Sequence, residues 1–264
     1  DPQNKRVQTD QSDAREMVQM LERYVRGNPR AMTVVQVPTP EQEAQRIESR
    51  HRVYLKKELL SVAAHGRGLL LSQGWRQVGK WWQDPTWEVL SAKVSEQLRA
   101  SLADGRKLIQ EYEKLLQPVE KKLTASAPKS LPHGMGALTF VLLLREIFNW
   151  QRFNNRRQVG SFMGLCGGVS SSGPQHFDLS ITKTGNRHLR TWLIELAWRF
   201  VRYQPDYKPF KKKWGAILKD RQSHRRHRKR AIVALARQLA VDLWKWQTGR
   251  VTAQELGWIM NSAA

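Results

Sequence analysis

Along this chain apolar residues recur at three- and four-residue steps over several long windows, while few stretches alternate with a period of two. The first window, "NKRVQTDQSDAREMVQMLERYVRG" (4–27), predicts a helix starting near Thr9 and capped by Thr9 or Asp10. Ala14, Val18 and Leu21 share one of its faces, and Gly27-Asn28-Pro29 stops it. "AMTVVQVP" (31–38) alternates β-branched residues and predicts a short strand ended by Pro38 and Pro40. From Glu41 to about Leu71 the period is helical again, with Ile47, Tyr54, Leu55, Leu59 and Val62 inside; Gly74, Gly79 and Pro85 then break it. Leu102, Ile109, Tyr112, Leu116, Val119 and Leu123 mark a second long helix. Gly105 takes one of its seam positions, and Pro118 predicts a kink or restart. Two helices striped in this way predict a helical hairpin, built either as ordinary bundle helices or as an intermolecular coiled coil.

"TASAPKSLPHG" (124–134) reads as a linker and sets a predicted domain boundary. Beyond it the pattern predicts an apolar helix over about 137–149, a Gly/Ser loop, and a helix from about Asn186 to Tyr203. A basic connection over 204–230 and a final helix over 231–248 follow. On the Asn186 helix, Leu189, Leu193, Leu196, Phe200 and Tyr203 share one face, which leaves Arg187, Arg190 and Arg202 for the others. The expected fold class is mainly α.

Charge narrows the class of partner. Lys and Arg number 45 against 23 Asp and Glu, a formal charge of +22, and residues 140–264 alone hold 23 against 7. Such an excess favours a polyanion, because each phosphate neutralised releases condensed counterions. The rival is a solvated basic surface, or a ribosome-like protein that touches RNA only to assemble. A single Cys166 leaves no internal disulfide and fits a reducing, cytoplasmic compartment. No apolar stretch approaches the roughly 20 residues that span a bilayer: "TFVLLLREIF" (139–148) is short and carries charge. The opening residues show no signal-peptide pattern.

Four places invite chemistry. In "LPHGMGALTFVLLLREI" (131–147), Gly134 and Gly136 precede an apolar helix as in helix-hairpin-helix modules, where backbone N–H groups approach a phosphate; a plain tight turn is the other reading. In 204–231 a run containing Lys211, Lys212, Lys213, Arg225, Arg226 and Arg228 is interleaved with Tyr207, Phe210 and Trp214, which suits phosphates and unpaired bases. There the aromatics are expected in the core and the cations on phosphate, and His224 and His227 lack the companions of a metal site. Asp10 and Asp13, three apart on a helix, share a face and suit a divalent cation, although Asp near a helix start is usually a cap. Finally, "GLCGGVSSSGPQHFDLSITKTGNRHLR" (164–190) sets serines among glycines, with Lys183, Arg187 and Arg190 following to hold a phosphodiester. A helix-capping polar turn has the same spacing.

The segment 159–198 resembles the signature block of bacterial insertion-sequence transposases of the IS-one-ten type. Gly164-Leu165, Ser172-Gly173, Ile181, Lys183, Gly185-Asn186 and Leu189-Arg190 all fall in that family's register. "LPHGMGALTFVLLLREI" is similar to the family's preceding glycine hairpin, and "KRVQTDQSDARE" (5–16) resembles its Lys-x-Asp-x-x-Asp-Ala motif. Residues 38–74 resemble its charged helical connector. The resemblance implies a RuvC-like domain with four Mg2+-binding acidic residues, joined to a transposase domain with a nucleophilic serine and acting through covalent serine–DNA intermediates. Several members are guided by an element-encoded bridge RNA. It places the nucleophile at Ser172, with Ser171 and Ser170 less favoured, and makes Asp10 and Asp13 the last two of the acidic four. The DNA phosphodiester would then sit between Ser172 and the metal. It also implies a homo-oligomer working on DNA at the bacterial nucleoid, because paired strand cleavages need more than one active site.

By this reading residues 1–40 are the C-terminal remnant of the α/β RuvC-like domain, 41–124 the helical hairpin, and 125–264 the helical transposase domain. The family's first acidic residues lie upstream of the motif at Lys5, so the sequence is expected to be a fragment of a longer protein or a decayed copy. Pro174 and Asp178 depart from the family pattern. Two alternatives remain: a DNA invertase of the same superfamily, and a nucleic-acid-binding remnant without catalysis.

Overall fold

A computed structural model describes residues 9–32, 34–76, 79–172, 175–220 and 222–261. The chain divides into two compact units, one ending at Thr39 and the other beginning at Pro40. In the first, helix α1 (Asp10–Val25) opens on a capping box: Ser12 N donates to Thr9 Oγ1 at 3.2 Å, and Thr9 N donates back to Ser12 Oγ at 3.0 Å. The strand expected over 31–38 is absent, since the described residues there are neither helix nor strand and Val34, Val35 and Val37 are exposed. β-branched residues favour a strand only where a partner ladder exists, and Pro38 cannot donate to one.

The second unit begins with a helical hairpin of α2 (Pro40–Ser72) and α4 (Glu96–Ala125). Leu55, Leu59, Ala63 and Leu70 pack against Leu98, Leu102, Ile109 and Leu116. Ile47 and Tyr54, expected in this seam, face outward, because the buried row of α2 runs through Leu55, Leu59, Ala63, Gly66 and Leu70. Pro118 does not restart α4, which continues to Ala125. The segment between the helices folds back as α3 (Asp84–Ser91) and inserts Trp81 between them, fully buried, with its indole N–H donating to the Ala63 carbonyl at 3.0 Å. Two glycines make room for that ring. A Cβ at Gly66 would lie 2.2 Å from Trp81 Cζ2, and one at Gly105 3.3 Å from Cη2.

The larger core joins α5 (Ala137–Ile147), α6 (Arg156–Phe162), α7 (Arg187–Tyr203), α8 (Gly215–Lys219) and α9 (Arg225–Gln247). As the periodicity requires, Leu189, Leu193, Leu196 and Phe200 of α7 are wholly buried against α9. Gln204 ties the ends of the unit together: its side-chain amide donates to the carbonyls of His133 and Ile259, both at 2.8 Å, and its oxygen accepts from Ile259 N at 2.7 Å. Between α8 and α10 (Ala253–Leu256) the long α9 also buries Asp242, which accepts from the Tyr207 hydroxyl at 2.6 Å and from Gln238 at 3.0 Å. Among the described residues no helix is long and apolar enough to cross a membrane.

A buried carboxylate fastens the helical hairpin to this core. Glu146 on α5 is 0% exposed. Its Oε1 accepts from Arg50 Nε at 2.9 Å and its Oε2 from Arg50 Nη2 at 3.2 Å, with Arg46 Nε 3.8 Å away. Asn186, just before α7, donates its side-chain amide to the same Oε2 at 2.7 Å. Beside this hub Glu48 accepts from Lys122 and Arg145, each at 2.7 Å. Burial pushes the Glu146 carboxyl upward, but the hydrogen bonds from Arg50 and Asn186 and the nearby guanidinium charges outweigh it, so its pKa is lowered.

Two stability measurements test this architecture. Gly66→Ala should lower stability by about 2 kcal/mol, because the added methyl would fall inside the fully buried Trp81 ring and force it to shift. In a urea titration, adding Trp81→Leu to Gly66→Ala should recover most of that loss; independent, additive effects would contradict the packing account. Glu146→Ala should cost roughly 1–2 kcal/mol, since it takes the acceptor from half-buried Arg46 and Asn186 while Arg50, 45% exposed, can turn to water. A lowered folded pKa means that the carboxylate's contribution is present above its unfolded value of about 4.3 and lost as pH falls through the folded value. Glu146→Gln should therefore melt below the wild type at neutral pH, and the gap should close as pH falls below about 4. A gap constant across that range would show that the ionised carboxylate contributes nothing.

Candidate nucleic-acid interface

The serine-bearing stretch is not a loop. It forms a two-stranded antiparallel arm, β1 (Gly167–Ser172) and β2 (Gln175–Ile181), in which Ser170 pairs with Phe177, Ser171 with His176 and Ser172 with Gln175. A register irregularity lies near the root, between Gly167 and Val169. Ser172 is thus the last residue of β1. Its side chain, together with Gly173 and Pro174, lies outside the described residues.

At the root of the arm two chain segments are pressed together. Gly164 adopts φ +66°, and a Cβ at Gly185 would fall 2.2 Å from Gly164 N and 2.5 Å from the Phe162 carbonyl. Only glycine fits at 185 in this arrangement. Thr182 N donates to the Cys166 carbonyl and Asn186 N to the Phe162 carbonyl, both at 2.9 Å. Asn186 then caps α7, its Oδ1 accepting from His188 N at 2.9 Å and Leu189 N at 3.2 Å. Glu146 fixes the other end of that amide, so the hub that docks the helical hairpin also orients the start of α7. His188 follows, half-buried, its pKa lowered chiefly by burial against an opposing pull from Glu146.

This root presents cations. Lys183 is exposed at φ +60°, a left-handed conformation that disfavours any residue with a Cβ. Arg190 braces it by donating Nη1 to the Lys183 carbonyl at 3.2 Å, and Arg187 is exposed on the first turn of α7. None of the three forms an ion pair among the described residues. Arg237 was not anticipated. It is half-buried on α9, and a Cβ at Gly160 would come within 3.1 Å of its Nε and of Cys166 Sγ. A lone arginine inside the apolar run "AIVALARQLAVDLW" is the sequence signal that marks it.

A second basic patch lies farther along α9. The expected connection over 204–230 is largely helical, with a π-helical turn over Phe210–Trp214, then α8, then α9 from Arg225. Competing hydrogen bonds explain the earlier start, because His224 Nδ1 accepts from Arg226 N at 3.2 Å and caps the helix. Arg225, Arg226, Lys229 and Arg230 are exposed in its first two turns. Cations at the positive end of a helix dipole lower helix stability, so helix formation does not account for them. Lys211, Lys212 and Lys213 are exposed on the π turn, where Lys211 pairs with Asp206 at 3.3 Å, while Phe210 is buried and Trp214 half-buried. Arg228 instead turns its guanidinium toward the Trp198 ring, 5.8 Å from its centre.

The remaining candidates stand apart. Gly134, at φ +88°, leaves room for Tyr203, whose ring a Cβ would meet at 3.1 Å; Gly136 is the N-cap of α5 and faces open space. Asp10 and Asp13 are exposed on the first turn of α1, in the other compact unit. Their oxygens suit Mg2+ in kind, but two carboxylates are too few to hold it alone. Among the described residues no group of three or more His, Cys, Asp or Glu is placed to do so.

Comparison with known proteins draws these features together. The family model for the transposase IS116/IS110/IS902 family matches residues 129–212, which include the glycine turn, the arm and α7. A putative transposase, y4rJ, of Sinorhizobium fredii is 30% identical over 280 aligned positions, covering 95% of this chain and 69% of the relative. The transposase for insertion sequence element IS1111A of Coxiella burnetii is 32% identical over 161 residues, 61% of this chain and 43% of its own length. With the glycine crossing, the Asn186 cap and the braced Lys183 all falling inside the matched region, the chain belongs to the IS116/IS110/IS902 family of transposases.

Proposed function

We propose that this chain carries out strand exchange on the DNA of an insertion sequence, with Ser172 as the attacking group. The observation that supports the reading is the set of cations at the foot of the serine-bearing arm. Lys183, Arg187 and Arg190 have no carboxylate partner among the described residues, and they flank the start of α7, a helix N-terminus that favours anions. In the proposed step the Ser172 oxygen bonds to a phosphorus of the DNA backbone, and the bond from that phosphorus to one deoxyribose oxygen breaks. The hydroxyl proton passes to solvent water, and the departing deoxyribose oxygen takes up a proton from water. The high-energy linkage is kept as a phosphoserine ester, so a second strand's hydroxyl can reverse the step and rejoin DNA without an external energy source. Ser172 stands five strand residues from the root, roughly 16 Å at 3.3 Å per residue, so the root cations hold a neighbouring stretch of the same DNA backbone rather than the phosphate under attack.

Mg2+ belongs to the same proposal. Asp10 and Asp13 would furnish part of an oxygen-ligand set completed by other acidic residues, as the family resemblance implies for a RuvC-like domain, and the step above assigns the ion no task. The second patch, Lys211 to Lys213 with Arg225 and Arg226, extends the grip on phosphates to a longer stretch of DNA or to a structured guide RNA. Paired strand cleavages call for a homo-oligomer.

Ser172→Ala in the complete transposase should abolish covalent protein–DNA adducts on element-end DNA while leaving affinity within about twofold. Adducts that persist would move the nucleophile elsewhere, and adducts absent from the wild type would favour a binding protein without catalysis. Removing Arg225 and Arg226 should flatten the dependence of log K on log salt by roughly one unit for each phosphate no longer neutralised. An unchanged slope would make that patch a solvated rim.

A further inference from the structure

The serine-bearing arm has an apolar face that the chemistry above leaves unused. Phe177 and Leu179, two residues apart on β2, are 59% and 55% exposed. Ser170, the register partner of Phe177, is exposed as well, and Gly168 lies beside Leu179, where a Cβ would approach Leu179 Cβ at 3.4 Å. The neighbours of both apolar side chains across the ladder are therefore small and leave them uncovered. Ile181, at the end of the same strand, instead packs into the core. The arm is thus rooted by one apolar side chain and holds two out. A two-stranded ribbon gains no stability from apolar groups kept in water, so folding alone does not explain them.

We infer that Phe177 and Leu179 form a stacking and wedge surface for unpaired DNA bases next to the phosphodiester bound at the arm's root. Charge selects this occupant. Lys183, Arg187 and Arg190 draw a phosphate backbone to the foot of the arm, and a strand held there by its backbone turns its bases onto Phe177 and Leu179, the large apolar side chains exposed among the described residues of the arm. An aromatic ring stacks on any exposed base, whatever its identity, and an aliphatic side chain inserted beside it keeps the neighbouring step open. Intact duplex offers no such faces. A second copy of the chain is a poorer fit, because two apolar side chains fall far short of the roughly 800 Å² per partner that a stable interface buries. The inference rests on the DNA-binding part of the proposed function and not on the identity of the nucleophile.

The test measures equilibrium binding of the full chain to a fluorescent oligothymidylate strand and to a fully paired duplex of equal length, across a salt series. Phe177→Ala with Leu179→Ala should weaken single-strand binding by about tenfold or more, leave duplex binding within about twofold, and leave both salt slopes unchanged. Phe177→Tyr should retain single-strand affinity, which separates loss of stacking from loss of the arm, and circular dichroism should show unchanged helix content. Equal losses on both probes, or no loss on the single strand, would overturn the inference. So would a change in sedimentation showing that the substitutions abolish self-association. Arg187→Ala with Arg190→Ala supplies the control: if it weakens both probes while the apolar substitutions do nothing, the DNA-binding reading stands and this inference alone fails. If the wild type binds neither probe, both fall.

Discussion

An ionised carboxylate that is wholly withdrawn from water must find its partners inside the protein, and Glu146 finds them on two other elements. Arg50 and Arg46 reach it from the helical hairpin, Asn186 reaches it from the start of α7, and Glu146 itself belongs to α5. Because the Arg50 contact uses both carboxylate oxygens, it fixes direction as well as distance. Asn186 works at both ends: its oxygen accepts from two backbone N–H groups of α7 and its amide donates to Glu146. A shift of the helical hairpin along its docking face would consequently pull on the residue that follows Gly185 and sets the exit of the arm. The hinge-like loop that carries Lys183 is held at one end by this amide and at the other by the ladder of the arm.

Seen physically, most of the signature block is architecture. Gly164 and Gly185 are glycines because their backbones cross within the space a Cβ would occupy, Leu165 and Leu189 are core, and Asn186 is a cap. Arg190 spends one donor on the Lys183 carbonyl. What the block leaves for a ligand is a short set of groups: Lys183 in a conformation that a lysine adopts only under constraint, Arg187, and the serines of β1. Local strain retained in an exposed cation points to use rather than to stability, since glycine at 183 would satisfy the backbone more cheaply.

The long helices could be read from the sequence because their apolar period is carried by large residues: Leu102, Ile109, Leu116 and Leu123 stand seven apart and are all buried. β1 could not, because glycine and serine carry no amphipathic signal; β2 does alternate Phe177, Leu179 and Ile181, but a single short alternating run beside a Gly/Ser stretch shows no partner strand. The opposite error occurred at Val34, Val35 and Val37, where the pattern of a strand is present without a partner among the described residues. The cap at His224 was invisible because the residues after it are a run of charges with no apolar period, and so α9 starts six residues earlier than its first apolar residue suggests. Glu146 and Arg237 were overlooked for one reason. Each is a single charge inside an apolar run, where a charge reads as an interruption of the core, although burial of such a charge is what demands an organised set of partners.

Two arginines of α9 mark where that helix packs against the rest of the core. Arg228 reaches Trp198 in the middle of α7, and Arg237 reaches Gly160, four residues before the Gly164–Gly185 crossing at which α7 begins. Nine residues of helix separate those contacts, or roughly 14 Å at 1.5 Å per residue. The cations crowded into the first two turns of α9 oppose the helix dipole, and that cost is offset by the packing of the rest of the helix, where Ala231, Ile232, Leu235, Ala236 and Leu239 are buried in the core.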